Sequence, residues 1–296
     1  MKSICFVILH YMDFKITEGC VDSILKNIKY ENMHIVVVDN GSPNDSGSKL
    51  QEKYKDNEKI VVISLLENKG FANGNNIGYT YACEKLHADF IIVANNDTLF
   101  SNNNFVDKML CVFEKNQCYL MGPDIVTPTG IHQNPHRKRI LTKADVYKAL
   151  FIKTTFYFYF KIKKVFHIDD KIMLLENWYD LKNSKNQDKK SYNIPNYNGV
   201  LQGACIIYTP LFVRKEKKAF CSETFMYGEE DILAYYCSVN GYLTLYTPEI
   251  QVLHFNGETT GKVYKASLDK QIFSYRHYIK GLKILLKKMK IKSKVL

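Results

Sequence analysis

Short apolar runs alternate with amphipathic stretches over roughly the first hundred residues of the chain. The runs are too short for helices and predict buried strands at 4–9, 34–38, 60–65 and 90–94. The stretches between them have helical spacing and predict helices at 17–26, with Thr17 as the N-cap, at 48–57, and one that ends near residue 86. This alternation is typical of a parallel sheet with crossover helices.

Polar residues follow two of the predicted strands at the point where each strand ends. Asp39 and Asn40 follow the second strand, and Asn95, Asn96 and Asp97 follow the fourth. Open α/β sheets bind their ligands outside the carboxyl ends of the strands, so both aspartates are candidate ligand-binding residues. The alternative is that each cluster turns the chain or caps a helix.

A stretch rich in glycine and asparagine lies at 68–78 and reads Asn-Lys-Gly-Phe-Ala-Asn-Gly-Asn-Asn-Ile-Gly. We interpret it as a loop whose backbone can approach a ligand closely, because both residue types tolerate unusual backbone angles. It matches neither GxGxxG nor GxxxxGK[ST], so no motif supports a dinucleotide site or a P-loop. The alternative is a helix N-terminus without a ligand.

The second half of the chain contributes further candidate residues. Residues 199–208 predict a loop that opens with glycine and runs into a strand, and three consecutive acids, 229–231, begin a predicted helix that ends at Gly241. Acids at a helix start complement the dipole by a few tenths to about 1 kcal/mol, which is the structural alternative to a catalytic role. Short strands are predicted at 242–246 and 251–255, the second containing His254. A lone histidine on a strand is more often structural than functional.

The charge of the chain is concentrated at its C-terminal end. The 296 residues carry a net charge of +11, and residues 262–296 hold eleven basic residues against one acid. A nucleic-acid binder with a uniformly basic surface is therefore not indicated, and no nucleic-acid partner is expected.

Eight scattered cysteines without a CxxC pair favour a reducing compartment. Because no apolar window approaches about 18–20 residues, we expect a cytoplasmic protein that rests on a membrane.

Two segments have the composition of a membrane surface. Residues 150–166, inside a region at 136–195, mix aromatic residues with lysines, which suits a membrane interface or a lipid-bearing partner. The alternative is a hydrophobic hairpin packed against the protein; residues 182–193 are expected to form an exposed loop. Residues 271–296 predict a basic amphipathic helix suited to anionic lipid, and the alternative is a solvated helix that caps the domain. Its apolar stripe comprises Ile272, Phe273, Tyr275, Tyr278, Ile279, Leu282, Leu285, Leu286 and Met289.

Six motifs, in order, resemble the family 2 glycosyltransferases of the GT-A fold, particularly their bacterial rhamnosyltransferase-like branch. They are Val-Val-Val-Asp-Asn-Gly-Ser at 36–42, the stretch at 68–78, Asn-Asn-Asp at 95–97, Gln-Gly-Ala at 202–204, Tyr-Gly-Glu-Glu-Asp at 227–231, and His254. The resemblance implies an α/β, Rossmann-like fold with a mixed, mostly parallel sheet flanked by helices. It implies a glycosyltransferase domain at 1–260, with a nucleotide-sugar-binding half at 1–100 and an acceptor half at 101–260 that contains the helical, aromatic insertion at about 136–195. A basic C-terminal tail would follow at 261–296.

The resemblance also implies roles for individual residues. The nucleotide-sugar donor would be bound by Asp39, Asn40, Asn68, Gly70, Asn75, Asn95, Asn96 and Asp97, and the acceptor side would be formed by Gln202, Gly203 and Glu229. Asp97, the last residue of the family's DxD motif, and His254 would hold a divalent metal. Asn95 stands where that motif has its first acid. Glu230 would be the catalytic base, with Asp231 as its rival.

The implied function is inverting transfer of a sugar from dTDP-rhamnose or a UDP-hexose to a hydroxyl of a lipid-linked glycan acceptor in cell-surface polysaccharide synthesis. A carboxylate takes the proton of the attacking hydroxyl, and Mn²⁺ or Mg²⁺ offsets the charge that grows on the leaving nucleoside diphosphate. The expected location is the inner face of the plasma membrane, with residues 262–296 contacting anionic lipid. The alternative is a non-catalytic carbohydrate- or nucleotide-binding homologue, which the missing acid at Asn95 favours.

Overall fold

The computed structural model describes residues 1–166, 191–255, 268–292 and 296. The strands in these ranges form one mixed sheet in the order β3-β2-β1-β4-β8-β6-β9-β5, with β7 beside β9. Strands β1 to β4 run parallel to one another, as expected from the sequence, whereas β8 runs antiparallel to β4 and β6. The bounds are β1 Ile4–His10, β2 Met33–Asp39, β3 Ile60–Ser64, β4 Phe90–Asn95, β5 Thr98–Leu99, β6 Leu120–Val126, β7 Asn196–Tyr197, β8 Cys205–Tyr208 and β9 Thr244–His254.

Helices cover both faces of the sheet. Because successive strand residues point to opposite faces, Ile4, Phe6 and Ile8 of β1 belong to the core under α1, α2 and α4, while Cys5 and Val7 pack toward α3. Two covered faces explain why the parallel strands are continuous apolar runs. The helices are α1 Phe14–Asn27, α2 Ser46–Tyr54, α3 Gly70–Glu84, α4 Phe105–Asn116, α5 Lys143–Val165, α6 Pro210–Val213, α7 Glu229–Asn240 and α8 Leu268–Ile291.

The glycine- and asparagine-rich stretch is helical, so its interpretation as a loop is wrong. Helix α3 begins at Gly70 and contains the remaining glycines. A Cβ on Gly74 would lie 2.5 Å from a methyl of Leu9, and one on Gly78 would lie 2.5 Å from a methyl of Val7. These glycines therefore let the helix approach β1 closely, and their role is packing rather than loop flexibility.

Two further boundaries differ from the expectations. Helix α1 begins earlier than expected, with Asp13 as its N-cap, because the Asp13 carboxylate accepts a hydrogen bond from the Ile16 amide at 3.1 Å. Thr17 is therefore buried inside the helix and is not its cap.

The two short strands expected at 242–246 and 251–255 form one strand, β9, whose pairing with β6 shifts register after Pro123. The shift accommodates Pro248, which has no N–H for the ladder.

Helices α5 and α8 pack against each other in an antiparallel arrangement. Lys164, near the end of α5, pairs with Asp269 at the start of α8, and Lys153 lies over the ring of Tyr278 further along. The apolar face of α8 is buried against α5 and α7, with Leu285 in contact with the core that contains Val146. The C-terminal half of the apolar stripe expected in the tail therefore packs on the protein, as the capping alternative expects, whereas Phe273 and Tyr278 are 40% and 37% exposed.

The aromatic segment at 150–166 lies within and just after α5, which makes it helical and not a hairpin. Most of the loop expected at 182–193 lies outside the described residues. Among the helices that the structure describes, none combines the length and the apolar character needed to cross a membrane.

Candidate active site

A cleft of about 430 Å³ opens between the carboxyl end of β4, the loop before β8 and the start of α7. It brings together seven of the candidate residues, which come from four separate parts of the chain: Asn95, Gln202, Gly203, Glu229, Glu230, Asp231 and His254. Residues that were not predicted to have a role in the site also line it: Phe71, His136, Arg137, Ala204, Met226, Tyr227, Gly228 and Tyr278. The cleft is lined by both acidic and basic side chains, which suits a polar ligand.

Asp97 and His254 meet beside this cleft. Pairing of β5 with β9 sets Thr98 opposite His254, and the His254 Nε2 atom lies 3.0 Å from an Asp97 carboxylate oxygen. On the other side of the ring, Nδ1 of His254 donates a hydrogen bond to the Gln133 side-chain oxygen at 2.7 Å. Gln133 therefore fixes the ring so that Nε2 faces the Asp97 carboxylate.

The Asp97–His254 pair fits a divalent cation. A carboxylate oxygen and an imidazole lone pair that approach each other repel unless a proton or a cation lies between them. One oxygen and one nitrogen donor suit Mn²⁺ or Mg²⁺. Across the described residues no group of three or more His, Cys, Asp or Glu side chains converges, so a cation at this pair would need further ligands beyond these two side chains.

The two asparagines before Asp97 have different surroundings. Asn95 lines the cleft, with its side-chain nitrogen 3.4 Å from Nε2 of His254. Asn96 donates a hydrogen bond at 2.9 Å to Thr17, whose hydroxyl is in turn 2.7 Å from the buried His10 ring. Burial lowers the pKa of His10, which keeps this network neutral. Asn96 therefore links the end of β4 to the buried network, whereas Asn95 faces the ligand space.

Asp39 lies at the end of β2, two strands from β4 and so about 10 Å from it. Its side chain is buried and accepts a hydrogen bond from the Ser42 amide at 3.1 Å. Gly47 of α2 stands directly behind it, since a Cβ at that position would meet the carboxylate. The start of α2 thus supports Asp39 at the edge of the sheet where ligands bind in such folds.

The other candidates for donor binding on this side form hydrogen bonds within the protein. Asn40 donates to the Asn68 side chain at 3.0 Å and accepts from the Lys69 amide at 2.9 Å, which joins the loop after β2 to the start of α3. Asn75 is buried and donates to the Phe71 carbonyl at 3.0 Å. These bonds indicate that the side chains hold the loops in place, and their role in donor binding stays a prediction.

Gly70 joins the start of α3 to the loop that precedes α7. Its φ of +80° is a left-handed conformation that favours glycine, and a Cβ there would lie 2.3 Å from the Phe225 carbonyl oxygen. The Phe71 amide donates a hydrogen bond to the same carbonyl at 2.6 Å. The start of α3 is therefore fixed against the loop that leads into α7.

The three acids are aimed by a left-handed turn before α7. Tyr227 and Gly228 have φ values of 70° and 93°, and the helix begins at the next residue. The carboxylate of Glu230 then lies against Gly203, because a Cβ on that glycine would be 2.7 Å from a Glu230 oxygen. Gly203 is thus needed for its lack of a side chain, which leaves room for the Glu230 carboxylate.

Asp231 and Glu230 differ in their partners. Asp231 forms an ion pair with Arg137, which comes from the segment after β6. Glu230 acts electrostatically on both Arg137 and His136, opposing the lowering of their pKa by burial. Arg137 thus lies near both acids: Asp231 contacts its guanidinium directly, whereas the Glu230 carboxylate lies against Gly203.

Glu229 is almost fully buried beneath these residues. Burial, followed by the nearby charge of Glu230, raises its pKa to about 7. One of its carboxyl oxygens has no hydrogen-bond partner among the described residues. Glu229 therefore holds its proton to a higher pH than an ordinary glutamate, and it lies beneath the site rather than at its surface.

Helix α8 reaches the cleft through Tyr278. Its ring stacks on Tyr227, with centroids 4.3 Å apart, and the Tyr227 hydroxyl is 3.1 Å from that of Ser274. Gly281 lies against the same loop, since a Cβ there would be 2.4 Å from the Tyr227 carbonyl oxygen. The segment expected as a tail therefore forms a wall of the site.

A family model for glycosyl transferase family 2 matches residues 5–203, more than half of the chain. The chain belongs to this family. The matched range contains the end of β4 with Asp97, Gly203 and the segment with Arg137, and it stops before α7 and His254. The family predicted from the six motifs is confirmed.

Among curated proteins, this member of the family is 30% identical over 115 residues to the dTDP-rhamnosyl transferase RfbF of Shigella flexneri. The match covers 39% of this chain and 37% of that protein. It is 28% identical over 99 residues to the poly-β-1,6-N-acetyl-D-glucosamine synthase of Staphylococcus aureus strain COL, covering 33% of this chain and 23% of that protein. The chain thus spans less than two-fifths of the length of these relatives.

Solved glycosyltransferase structures share its fold. GalNAc-T7 with UDP, GalNAc and Mn²⁺ aligns with a TM-score of 0.58 at 14% identity, over 85% of this chain and 43% of that one. Staphylococcus aureus TarS with UDP aligns at 0.54 and 12% identity, over 97% and 71% of the two chains. The mannosyltransferase PcManGT of Pyrobaculum calidifontis, with GDP-Man and Mn²⁺, aligns at 0.52 and 11% identity, over 96% and 69%. The predicted GT-A fold is confirmed.

Proposed function

We propose that this protein transfers a sugar from a nucleotide-sugar donor to a hydroxyl of a glycan acceptor, with inversion at the anomeric carbon. One observation carries the proposal: the same cleft is lined by Glu230 and by His254, which is paired with Asp97. Inverting transfer needs a base on the acceptor side and charge neutralisation on the leaving-group side. The arrangement supplies groups suited to both tasks.

The donor is dTDP-rhamnose or a UDP-hexose. The similarity to a protein named as a dTDP-rhamnosyl transferase favours the first, and the likeness in fold to chains solved with UDP keeps the second open. Asp39, at the edge of the sheet, would bind the base or ribose, and Asn95 and Asn96 would contact the ribose or sugar. The buried hydrogen bonds of Asn40 and Asn68 would keep the loop around Asp39 in shape.

Asp97 and His254 would hold Mn²⁺ or Mg²⁺ against the donor diphosphate. When bound, such an ion offsets the negative charge that develops on the departing phosphate oxygen. The likeness to GalNAc-T7 and PcManGT chains solved with Mn²⁺ supports this choice of metal. Gln133 would orient His254 so that its Nε2 stays available as a ligand.

Glu230 would act as the base. As the acceptor oxygen bonds to the anomeric carbon, the hydroxyl proton passes to the Glu230 carboxylate, and the bond from that carbon to the diphosphate oxygen breaks on the opposite face. Asp231, paired with Arg137, would hold the start of α7 and the segment after β6 together. His136 and Arg137 would contact the acceptor.

The acceptor would be a lipid-linked glycan, and the enzyme would work at the inner face of the membrane in cell-surface polysaccharide synthesis. Supporting this, α8 is basic and contributes Tyr278 to the cleft, so the acceptor side of the site adjoins a strongly basic surface. Anionic lipid and a glycan linked to lipid through pyrophosphate are both attracted to such a surface.

The test is transfer by the purified full chain. A thermal-shift screen of nucleotide sugars with Mn²⁺ would identify the donor, because selective binding raises the melting temperature. Incubation with that donor and an acceptor glycan should yield a product with inverted anomeric configuration by NMR. Donor binding without transfer or hydrolysis would instead support a non-catalytic homologue, the reading that Asn95 favours.

A further inference from the structure

Helix α5 carries an apolar stripe on its outer surface. Tyr147, Phe151, Phe158, Ile162 and Val165 fall within an arc of about 60° on the helix, and each is between 53% and 75% exposed. Within the part of the chain that the structure describes, no element covers this stripe. Exposed apolar side chains aligned over most of a 23-residue helix mark an interaction surface rather than the scattered apolar residues of an ordinary surface.

The opposite side of α5 is the one that packs on α8. Phe156 and Phe160 lie 5.7 and 5.3 Å from the ring of Tyr275, measured between centroids. These residues are about half a turn of the helix away from the outer stripe. Helix α5 is therefore apolar on two faces, and the contact with α8 uses only one of them.

The two helices also carry the net charge of the protein. Residues 143–166 and 268–292 contain fourteen basic and two acidic residues, a charge of +12 compared with +11 for the whole chain. On α5, Lys148 and Lys161 lie on either side of the apolar stripe, each about 40° from its edge. The exposed face of α8 adds a row of five cations, Arg276, Lys280, Lys283, Lys287 and Lys290.

We propose that the outer stripe of α5 is a membrane-contact surface that lies in the headgroup region of an anionic bilayer. The proposed function enters this inference in one respect: it supplies the reason for membrane contact, which is to bring the enzyme to a lipid-linked acceptor. The aromatic and aliphatic side chains enter the boundary of the acyl chains, while the flanking lysines extend to the phosphates. The cations of α8 lie about 8–10 Å further from the membrane than α5, which is one interhelical distance. This is comparable to the Debye length, so these cations add a weaker attraction to the anionic lipid.

Charge favours lipid over a second copy of the chain. Two copies that met through this face would bring two layers of about twelve positive charges together, which is unfavourable at moderate ionic strength. Anionic headgroups instead complement the lysines, each of which contributes about 1 kcal/mol near such a surface, or roughly a fivefold change in affinity. A length of about 35 Å also suits a helix that lies along the interface.

This surface differs from the one expected from the sequence. The apolar face of α8 is buried in the protein, so α8 contributes charge and α5 contributes the apolar contact. Because Tyr278 of the same α8 lines the cleft, the membrane-contact layer is joined directly to the acceptor side of the site.

Vesicle flotation with the full chain tests the proposal. We expect binding to vesicles of equal parts phosphatidylcholine and phosphatidylglycerol, and binding at least about tenfold weaker to phosphatidylcholine alone. The triple substitution F151S, F158S and I162S should weaken binding to the anionic vesicles by at least about tenfold. Equal binding to both vesicle types, or unchanged binding of the triple variant, would overturn the proposal.

A matched control removes exposed apolar side chains elsewhere. The triple substitution L66S, I131S and I194S changes residues that are 105%, 55% and 64% exposed and lie outside α5, and it should leave vesicle binding unchanged. Circular dichroism and melting temperature should be alike for both triple variants and the parent chain. If both triples lost binding equally, the α5 stripe would have no specific role and the proposal would fail.

Two measurements separate this proposal from its rivals. Analytical ultracentrifugation without lipid would detect a dimer, and a dimer lost in the F151S, F158S, I162S variant without any effect on vesicle binding would assign the stripe to a second copy. The E230Q chain should bind vesicles as the parent does. If no donor supports transfer but vesicle binding keeps the stripe dependence, the proposed function fails while the membrane-contact surface stands.

Discussion

The ring of Tyr278 in α8 stacks on the ring of Tyr227, with centroids 4.3 Å apart and an angle of 22° between the planes. Tyr227 has a left-handed φ of 70°, which is unfavourable for a tyrosine unless its surroundings hold it there. The stack therefore fixes the turn that aims the three acids of α7 into the cleft. Helix α8 therefore forms part of the wall of the candidate site.

The substitution Tyr278→Ala should impair transfer without unfolding the protein. An aromatic pair contributes about 0.5–1.5 kcal/mol beyond its buried area, so we expect kcat/KM for the acceptor to fall roughly three- to tenfold. Tyr278→Phe keeps the ring and should retain most of the activity. The two variants would be compared by initial rates at saturating donor, with melting temperatures as the control. Equal rates for alanine and phenylalanine would contradict a role for the stack.

The substitution Gln133→Leu should weaken metal binding while leaving the metal ligands in place. Gln133 accepts the hydrogen bond from Nδ1 of His254 at 2.7 Å, and loss of such a partner typically costs about 10- to 100-fold in metal affinity. Titration of Mn²⁺ in the presence of UDP, followed by electron paramagnetic resonance, measures this without turnover. Gln133→Glu keeps an acceptor and should bind Mn²⁺ at least as well as the parent. Unchanged affinity in the leucine variant would contradict the role.

Glu230→Gln and Asp231→Asn should have different consequences. Loss of a general base costs about 10²–10⁴-fold in rate, and we expect that loss only for Glu230→Gln. Asp231→Asn breaks the ion pair with Arg137, so its main effect should be a lower melting temperature. Arg137→Gln should reproduce that change in stability, and the double substitution of 137 and 231 should be less than additive. A larger loss of rate in Asp231→Asn than in Glu230→Gln would reverse the assignment of the base.

The stability of the protein should fall as pH rises through the range set by Glu229. Burial raises its pKa from 4.5 to about 7 in the folded state. Between these values the unfolded chain has lost the proton that the folded chain still binds, so the free energy of unfolding decreases with pH and levels off above about 7. Glu229→Gln removes this dependence, and by about pH 8 the variant should be more stable than the parent by a few kcal/mol. Urea unfolding at several pH values would show whether the free energies of unfolding of the parent and the variant converge toward acid pH.

Much of the fold could be predicted because the parallel strands are buried on both faces. Such strands are continuous apolar runs, and the polar residues that end them, Asp39 and the group at Asp97, are visible as breaks in the pattern. The acids at 229–231 can likewise be recognised as a helix start, because the pattern changes there from polar residues to periodic apolar positions. The local pattern of polar and apolar residues is sufficient to predict an element wherever a segment's own sequence determines its structure.

Contacts between distant segments could not be predicted from local pattern. The ion pair of Arg137 with Asp231 and the hydrogen bond of Gln133 to His254 join parts of the chain more than ninety residues apart. The cluster of His and Arg at 132–139 was a signal that could have indicated this part of the site. The glycines of α3 were misread because their low helix propensity is outweighed by close packing on β1.

Restoring the missing acid of the DxD motif tests how this site compensates for Asn95. Asn95 lines the cleft, and its side-chain nitrogen is 3.4 Å from the Nε2 atom of His254, so Asn95→Asp would place a second carboxylate beside the pair that Asp97 forms with His254. A further anionic oxygen ligand should raise affinity for Mn²⁺ by about tenfold or more, since ligand charge sets affinity at such sites. Transfer need not increase in parallel, because tighter binding of metal and diphosphate also slows release of the product. Calorimetric titration of Mn²⁺ into the parent and variant chains, with and without UDP, measures the first effect. Equal affinities would mean that Asn95 lies too far from the cation to be a ligand and that Asp97 and His254 bind it without help from this position.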